Sequence, residues 1–299
     1  MDDVELAEWL LANAGPIIRF RTIVDILHSQ DVGQVGDALD KLLATPVIGL
    51  WLGRLQEFNP GQLWCRMPSC FSNTIGKLVQ LGMRAGLQPF DSIALPPRVW
   101  LTEMAEREDS GDINVTREMY IVASLLALAG YSETMYVQRI MIHRLKAVHD
   151  IISSHGLMRN GQVVVSLLDV VAFAHTAPIM GGRRERGRVE EVVQLAISEG
   201  EGRVIPAADG HLAPLLVALE SLVKYKSIRE SKWFTRVMQR CEKWRTPQGT
   251  YDFTVANLPE RGEGHWLHGD FMEFDDRREV PRATECESTF RMLFLRSVV

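Results

Sequence analysis

The stretch WLLANAGPIIRFRTIVDIL, residues 9–27, shows the helical pattern that predicts the fold class of this chain. After the Gly15-Pro16 break, its apolar residues recur at spacings that place them on one helical face: Phe20, Ile23, Val24, Ile26 and Leu27. Because a Gly-Pro pair interrupts regular structure, the stretch predicts two short helices joined by a tight turn.

The same helical period continues along most of the chain and predicts about twelve helices with few strands. The further segments that show it are residues 32–43, 47–55, 73–86, 97–104, 117–128, 133–153, 163–175, 189–198, 212–222, 228–244 and 285–299. Val163, Val164 and Val165 would also suit a strand, but the apolar run that they begin is too long for one, so a helix is favoured. Residues 178–187, rich in Gly and Arg, predict a loop.

Composition excludes several classes of protein. Of the 299 residues 46% are hydrophobic, which excludes intrinsic disorder, and the formal net charge of −5 argues against nucleic-acid binding. No window holds 18 uninterrupted apolar residues, so no membrane span is expected. Four Cys are too few for a disulfide framework. The acidic start lacks the basic region of a secretory signal, and a cytoplasmic location is expected.

No linker or shift of composition divides the chain, so a single all-α domain over residues 1–299 is expected. Helix pairs joined by short turns predict helical hairpins, stacked either as an open α-solenoid or as a closed (α/α) toroid around a central cavity. Residues 246–284 differ from the rest, being aromatic, charged and without a clear period. Long structured excursions of this kind often carry function.

Three segments resemble the helical toroids of squalene-cyclase-like and prenyltransferase-repeat proteins. Residues 9–27 are similar to the opening helix pair of bacterial members. The run from Gln56 through Gly61 to Trp64, followed by SNTIGKLVQLGMRAG, is similar to the Gln–Gly–Trp turn of the family and its next helix. WRTPQGTYDF, residues 244–253, resembles another such unit, and ESTFRMLFL, residues 287–295, resembles a ring-closing helix.

This resemblance implies an (α/α) toroid with inner helices around a central cavity and outer helices behind them. It does not extend to the chemistry of the family. Class II cyclases use an Asp-x-Asp-Asp acid, whereas Asp275-Asp276 here lacks the first Asp. The zinc ligand patterns of protein prenyltransferases and lantibiotic cyclases are also missing from the sequence. We therefore expect neither a metal nor a cofactor.

The richest candidate segment is GEGHWLHGDFMEFDD, residues 262–276. His265 and His268 have a spacing that would suit a metal on a helix, but the surrounding glycines favour a loop. His268 is the predicted general base and Asp270 the carboxylate that orients it. Trp266 and Phe271 are predicted to line the substrate pocket. The alternative is a polar surface excursion that its aromatic side chains anchor to the body.

Further candidates lie elsewhere in the chain. Glu285, at the start of the last predicted helix, is either an acid facing a cavity or a carboxylate that complements the helix dipole. Asp252 is a further predicted catalytic carboxylate, and Trp64 and Tyr251 are predicted pocket walls. Asp169 interrupts the apolar run VSLLDVVAF, and a carboxylate in such a helix needs a partner or a cavity.

Two other sets of residues are less specific. The run GGRRERGR, residues 181–188, suggests either an anion clamp or a solvated loop. His143, His149 and His155 are six residues apart and do not share a helical face, so they are expected to be ordinary helix residues.

These observations favour a cofactor-independent enzyme that acts on a small hydrophobic, terpenoid- or polyketide-like molecule. Its acid–base chemistry would be isomerisation, cyclisation or elimination in a central cavity. The alternative is a non-catalytic helical-repeat module that binds a peptide or partner protein. Neither hypothesis involves nucleic acid or a membrane span, and both are compatible with a homo-oligomer.

Overall fold

The computed structural model of the chain describes residues 1–107, 115–159, 161–180, 182–274 and 280–297. It is mostly helical, which confirms the all-α prediction. The α-helices in the described ranges are α1 (Asp3–Asn13), α2 (Pro16–Arg21), α3 (Val32–Leu43), α4 (Pro46–Gln56), α5 (Phe71–Gln80), α6 (Gln88–Ile93), α7 (Leu95–Arg107), α8 (Arg117–Leu126), α9 (Met135–His155), α10 (Leu167–Thr176), α11 (Arg183–Ser198), α12 (Leu212–Leu222), α13 (Lys226–Arg229), α14 (Lys232–Cys241) and α15 (Ala283–Ser297).

Shorter helical turns extend or connect these helices. A π-helical turn, Thr22–Ile26, continues α2, and a widened turn, Ala127–Tyr131, ends α8 at Gly130, whose φ of 95° suits glycine. Three 3₁₀ turns lie in the C-terminal third: Glu242–Trp244, Val255–Asn257 and Trp266–His268.

The helix predicted over residues 163–175 begins later than expected. Two short strands, β1 (Met158–Arg159) and β2 (Gln162–Val163), pair antiparallel, with Met158 opposite Val163. The helix α10 starts only after Ser166, whose hydroxyl accepts the backbone N–H of Asp169 at 3.2 Å. A strand is therefore present at the start of the Val-rich run. The prediction of a helix in place of this strand was wrong for Val163. The short length of the strand explains why periodicity alone did not reveal it.

The loop predicted over residues 178–187 is also shorter than expected. Arg183, Arg184 and Arg186 lie in the first two turns of α11, which begins at Arg183. Arginine and glutamate are good helix formers, and here their propensity outweighs the flanking glycines. The arginines are thus held on a helix surface.

Five helices are buried on almost all sides: α5, α8, α10, α12 and α15. The sequences of α8, α10 and α12 are largely apolar, as expected of core helices, whereas α5 and α15 also bury polar side chains such as Asn73 and Arg291. In space α5 packs against α8, α8 against α10, α10 against α12, and α12 against α15. α15 then contacts α2, and Arg21 of α2 donates a hydrogen bond to the carbonyl of Gln80 at 2.7 Å, which leads back to α5.

Other helices pack against this set from outside. α3 contacts α2, α4 contacts α5, α9 contacts α8, and α11 contacts α10. Each of these helices buries one face, and the buried apolar side chains form one connected core from Leu6 to Leu295. No helix in the described ranges is long and apolar enough to cross a membrane.

The excursion at 246–284 is described over residues 246–274 and 280–284, and it packs back into the core. Phe253, Leu258 and Trp266 are buried in it. The Asn73 side chain of α5 holds the segment by donating to the carbonyl of Gly264 at 2.9 Å and accepting the backbone N–H of Trp266 at 3.0 Å. The polar and aromatic residues of the excursion therefore belong to a segment of irregular backbone whose aromatic side chains are buried and which Asn73 holds against α5. Asp275 and Asp276 lie outside the described residues.

Candidate functional site

A cavity of about 1020 Å³ lies between α8, α9, α10 and the segment 202–207. Trp64, Leu267 and His268 line it from the side of the excursion. Its volume is at the upper end of the range of small-molecule sites in proteins. We call it the large cavity.

The first turns of two buried helices border the large cavity. The Thr116 hydroxyl caps α8 by accepting the N–H of Met119 at 3.3 Å, and Ser166 caps α10. These caps fix where each helix begins and so place Tyr120 and Asp169, one turn later, at the cavity wall.

Asp169 is the centre of a buried hydrogen-bonded network. Its carboxylate, only 1% exposed, accepts the Tyr120 hydroxyl at 2.6 Å and pairs with Arg144 Nε at 2.9 Å and Nη2 at 3.3 Å. The backbone N–H and hydroxyl of Ser166 bind the second oxygen at 2.8 and 2.7 Å. A buried carboxylate is stable only with such partners, and here they also fix its orientation.

The network keeps the Tyr120 phenol protonated. Burial, together with the neighbouring Asp169 carboxylate, raises the pKa of Tyr120 well above its usual value. The Arg144 guanidinium lies 4.9 Å from the centre of the Tyr120 ring. The Tyr120 hydroxyl at the cavity wall therefore does not ionise near neutral pH, and because its proton is donated to Asp169, its oxygen can serve a ligand as an acceptor.

The remaining wall is largely apolar. It includes Ile121, Ala147, Val164, Leu168, Ile205 and Leu267. This composition favours a ligand with a substantial hydrophobic part, because apolar surface that leaves water gains about 25 cal/mol per Å².

Positive groups are concentrated at the large cavity although the chain as a whole carries −5. Arg117, Arg203 and His143 line it and are exposed. Within the described part of the chain, none of the three makes an ion pair. The anionic lining residue is Asp169, which Arg144 already neutralises. The guanidinium groups of Arg117 and Arg203 thus give the cavity an excess of unpaired positive charge.

An aromatic cluster forms the side of the large cavity near the excursion. The Trp64 ring stacks on His265 with centroids 5.8 Å apart, and His268 meets the His265 ring edge-on at 5.4 Å. Burial, followed by the nearby His268, lowers the pKa of His265, so its imidazole is held neutral. His268 is exposed and lines the cavity.

The structure brings together three of the predicted site residues: Trp64, Asp169 and His268 all line the large cavity. Asp270 is placed differently. One of its oxygens accepts the backbone N–H of His265 at 2.9 Å, and the other pairs with Arg261 at 3.0 Å. Asp270 therefore closes the turn that carries His268, and it lines a neighbouring cavity of about 510 Å³ that His268 also borders.

Trp266 and Phe271 are buried in the body of the protein. Trp266 lies against Gly76, and Phe271 packs edge-on against Trp51 with centroids 5.7 Å apart. The Phe271 carbonyl also accepts the buried ammonium of Lys77 at 3.0 Å. These contacts anchor the excursion.

The last three predicted residues lie at other places. Asp252 is exposed, and its side chain accepts the N–H of Thr254 at 3.2 Å. Glu285, in the first turn of α15, accepts the Thr250 hydroxyl. The Tyr251 hydroxyl donates to Glu242 at 3.0 Å, and its ring lies under Arg296. None of the three lines the large cavity.

The sequence reasoning missed the partners of Asp169 and the cations of the large cavity. The Ser-x-x-Asp pattern at Ser166 and Asp169 was a usable signal, because it predicts a capping box. Arg144 carried no such signal, since 25 residues separate it from Asp169. His143, expected to be an ordinary helix residue, lines the cavity.

The described residues hold no group of three or more His, Cys, Asp or Glu side chains placed to bind a metal ion. The four cysteines are free thiols.

Comparisons of the chain with protein-family models, with curated proteins and with solved structures found no match.

Proposed function

We propose that the protein is a cofactor-independent enzyme that binds a small, largely hydrophobic molecule in the large cavity and converts it by acid–base chemistry. The observation that carries this proposal is the cavity itself: about 1020 Å³ with apolar walls and a fixed Tyr120–Asp169–Arg144 network. Sites for small molecules typically combine apolar walls with a few oriented polar groups.

The proposal includes the architecture around the cavity. We place α2, α5, α8, α10, α12 and α15 as the inner helices of one (α/α) toroid domain, with the helices that pack against them outside. The succession of contacts from α5 through α15 and α2 back towards Gln80 supports this arrangement. The large cavity would then lie at the N-terminal ends of α8 and α10.

The substrate carries an anionic group on its apolar body. Arg117 and Arg203 supply guanidinium forks that suit a carboxylate or a phosphate, and both lack a protein partner in the described ranges. The N-terminal ends of α8 and α10 add a favourable dipole. A cleft lined by one sign of charge also concentrates a ligand of the opposite sign.

His268 is the proton-transfer residue in this proposal. Imidazole is the side chain most often used for general acid–base catalysis, and His268 borders the cavity without being buried. Tyr120 contributes a fixed hydroxyl oxygen that can accept a hydrogen bond from the substrate, while Asp169 and Arg144 position it.

The binding step is tested with three probes of one chain length, decanoate, decyl phosphate and decan-1-ol, used below micelle-forming concentrations. Calorimetry is expected to show binding of all three, with the anions bound more tightly. Ala147→Phe places a large side chain in the cavity and should weaken binding, whereas Ala12→Phe on the exposed face of α1 should not. Equal binding by both variants, or no binding of any probe, would contradict the proposal.

The choice between a carboxylate and a phosphate follows from the same titrations. Replacing both Arg117 and Arg203 by Gln is expected to weaken the anions about tenfold or more and to leave decan-1-ol unchanged. Arg186→Gln on α11, outside the cavity, is the matched control. The probe that loses most affinity identifies the preferred head group.

The catalytic step is tested on a substrate found by incubating the protein with a metabolite extract and following masses that change. His268→Gln should lower kcat about a hundredfold and leave substrate binding intact. His155→Gln, on the exposed end of α9, should have no effect. Full turnover by the His268 variant would contradict the assignment. Binding without turnover in the wild type would favour the non-catalytic binding module.

A further inference from the structure

We propose that the chain has a second binding site, in a cavity of about 190 Å³, for a compact carboxylate whose other end carries a hydroxyl or a similar polar group. This central cavity is lined by residues of α2, α5, α10, α12 and α15 and by the turns that follow α2 and α8. It is separate from the large cavity, and the two share no lining residue.

The central cavity has a buried floor and an open end. Gly76, Val217 and Trp266 are buried, whereas Arg84 and Lys224 are partly or largely exposed. On α12 and its continuation, Val217 and Lys224 are seven residues apart, which corresponds to about 10 Å of helix. A ligand entering between Arg84 and Lys224 would therefore reach the level of Val217 after about that distance.

Two polar groups at the cavity lack hydrogen-bond partners. Gln80, 7% exposed, has an unpaired Oε1, and Trp266, 2% exposed, has an unpaired Nε1–H, counting partners in the described parts of the chain. An unpaired buried polar group costs about 1–3 kcal/mol, so native proteins rarely leave one without a partner. One is an acceptor and the other a donor, and a hydroxyl can serve both.

The walls between the floor and the open end are apolar. They are formed by four buried side chains, Met83, Leu128, Val217 and Phe294. The volume corresponds to roughly six molecules of liquid water. Apolar walls suit a short aliphatic chain better than a column of water, because water there would have few hydrogen-bond partners.

The charges at the open end favour an anion. Asp25 is bound by Arg21 at 2.9 Å and by Arg84 at 2.8 Å, and Glu220 is bound by the buried Arg291. Lys224 forms no ion pair among the described residues, although it interacts electrostatically with Asp25. It is thus the cation that remains for a ligand.

Lys224 is not needed to satisfy the ends of the neighbouring helices. At the end of α5 the carbonyl of Lys77 accepts the N–H of Leu81, that of Leu78 accepts the N–H of Met83, and that of Gln80 accepts Arg21. On α12 the carbonyl of Ser221 is paired with His175 at 2.9 Å. Cations near helix C-termini often have only a capping role, and here other groups already fill that role.

The π-helical turn Thr22–Ile26 also borders this cavity through Asp25. Such turns are rare and occur frequently at functional sites. By widening the helix for one turn, this one places Asp25 between Arg21 and Arg84. The geometry of the open end therefore depends on it.

The experiment titrates the full chain, labelled at its tryptophan indole nitrogens, with 4-hydroxybutanoate while the indole N–H signals are followed by NMR. Trp266→Phe identifies the Trp266 signal by its loss. Because that variant removes a large buried side chain, calorimetry of the same titration supplies a readout that does not depend on it. We expect saturable binding with a shift of the Trp266 signal.

Two related molecules and two variants sharpen the test. Butane-1,4-diol lacks the charge and butanoate lacks the hydroxyl, and each should bind about tenfold more weakly than 4-hydroxybutanoate. Lys224→Gln should remove the preference for the carboxylate, whereas Lys226→Gln, an exposed lysine paired with Glu230, should not. No shift of the Trp266 signal, or equal affinity in both lysine variants, would overturn the proposal. Neither result bears on the binding of the decyl probes in the large cavity, so the two proposals are tested independently.

Discussion

The indole of Trp266 lies directly on the backbone of Gly76, where an added β-carbon would come within 2.1 Å of the ring. Gly76 lies in α5, and the backbone N–H of Trp266 donates to the side chain of Asn73 one turn earlier in the same helix. The excursion is therefore seated on α5 at a point where a side chain would not fit.

Gly76→Ala is expected to destabilise the protein by about 3 kcal/mol, because the methyl group must displace a buried indole. Gly53→Ala in α4 is the matched control, since an added β-carbon there has no neighbour within 4 Å. The control should be neutral or stabilising by up to about 1 kcal/mol. Urea unfolding measures both, and similar free energies of unfolding for the two variants would contradict the packing described for Trp266.

Asp169→Asn is expected to lower the free energy of unfolding by about 3 kcal/mol, because it leaves Arg144 without its buried counter-charge. Asp150→Asn on the exposed face of α9 should change it by less than about 0.5 kcal/mol. If both variants unfold at the same urea concentration, the network at Asp169 does not stabilise the fold.

His175 makes stability depend on pH in a defined window. Burial lowers its pKa to about 4, while an unfolded histidine has a pKa near 6.5. Between these values the unfolded chain binds a proton that the folded chain does not. The contribution of the neutral, buried His175 to the free energy of unfolding is therefore fully present above about pH 6.5. It is lost as the pH falls towards 4.

His175→Gln should give a shallower fall of stability between pH 6.5 and 4.5 than the wild type. The amide of Gln can still donate to the Ser221 carbonyl that His175 contacts at 2.9 Å. His155→Gln at the exposed end of α9 should follow the wild-type curve. A parallel curve for His175→Gln would show that this histidine does not titrate in the predicted window.

The thiols should differ in their rates of modification. Cys65 is half-buried, whereas Cys70, Cys241 and Cys286 are buried. Burial raises the pKa of both Cys70 and Cys241 to about 12, which leaves almost no thiolate at neutral pH. A disulfide reagent should thus titrate one thiol rapidly in the native protein and four in urea. Cys65→Ser should remove the rapid phase, and a rapid phase that persists would contradict the assignment.

Much of the helical architecture is predictable from the sequence because it depends on local periodicity. The spacing of Phe20, Ile23 and Leu27 is the signature of a helix that buries one face, and it needs no knowledge of the partner. Element boundaries were less predictable. Val163 pairs with Met158 in a strand because the turn between them includes Gly161 at a φ of 76°, and hydrophobicity does not encode that turn.

The candidate site was only partly predictable, for a physical reason. Asp169 stands out because a carboxylate in an apolar helix requires a partner. That the partners are Tyr120 and Arg144 follows from the packing of α10 against α8 and α9, which is a tertiary property. His268 and Asp270, close in sequence, point to different partners because the intervening Gly269 has a φ of 78° and turns the chain.

The π-helical turn Thr22–Ile26 makes one region of the chain sensitive to a change in length. A π turn contains one more residue than an α turn, so deleting a residue there would restore an ordinary helix. The helix could tolerate the deletion, but Asp25 lies inside the turn and would change its position when the turn narrows. Asp25 would leave Arg21 and Arg84, with which it now pairs. A deletion in this turn would therefore rearrange the charges of the central cavity even where the helix itself is kept.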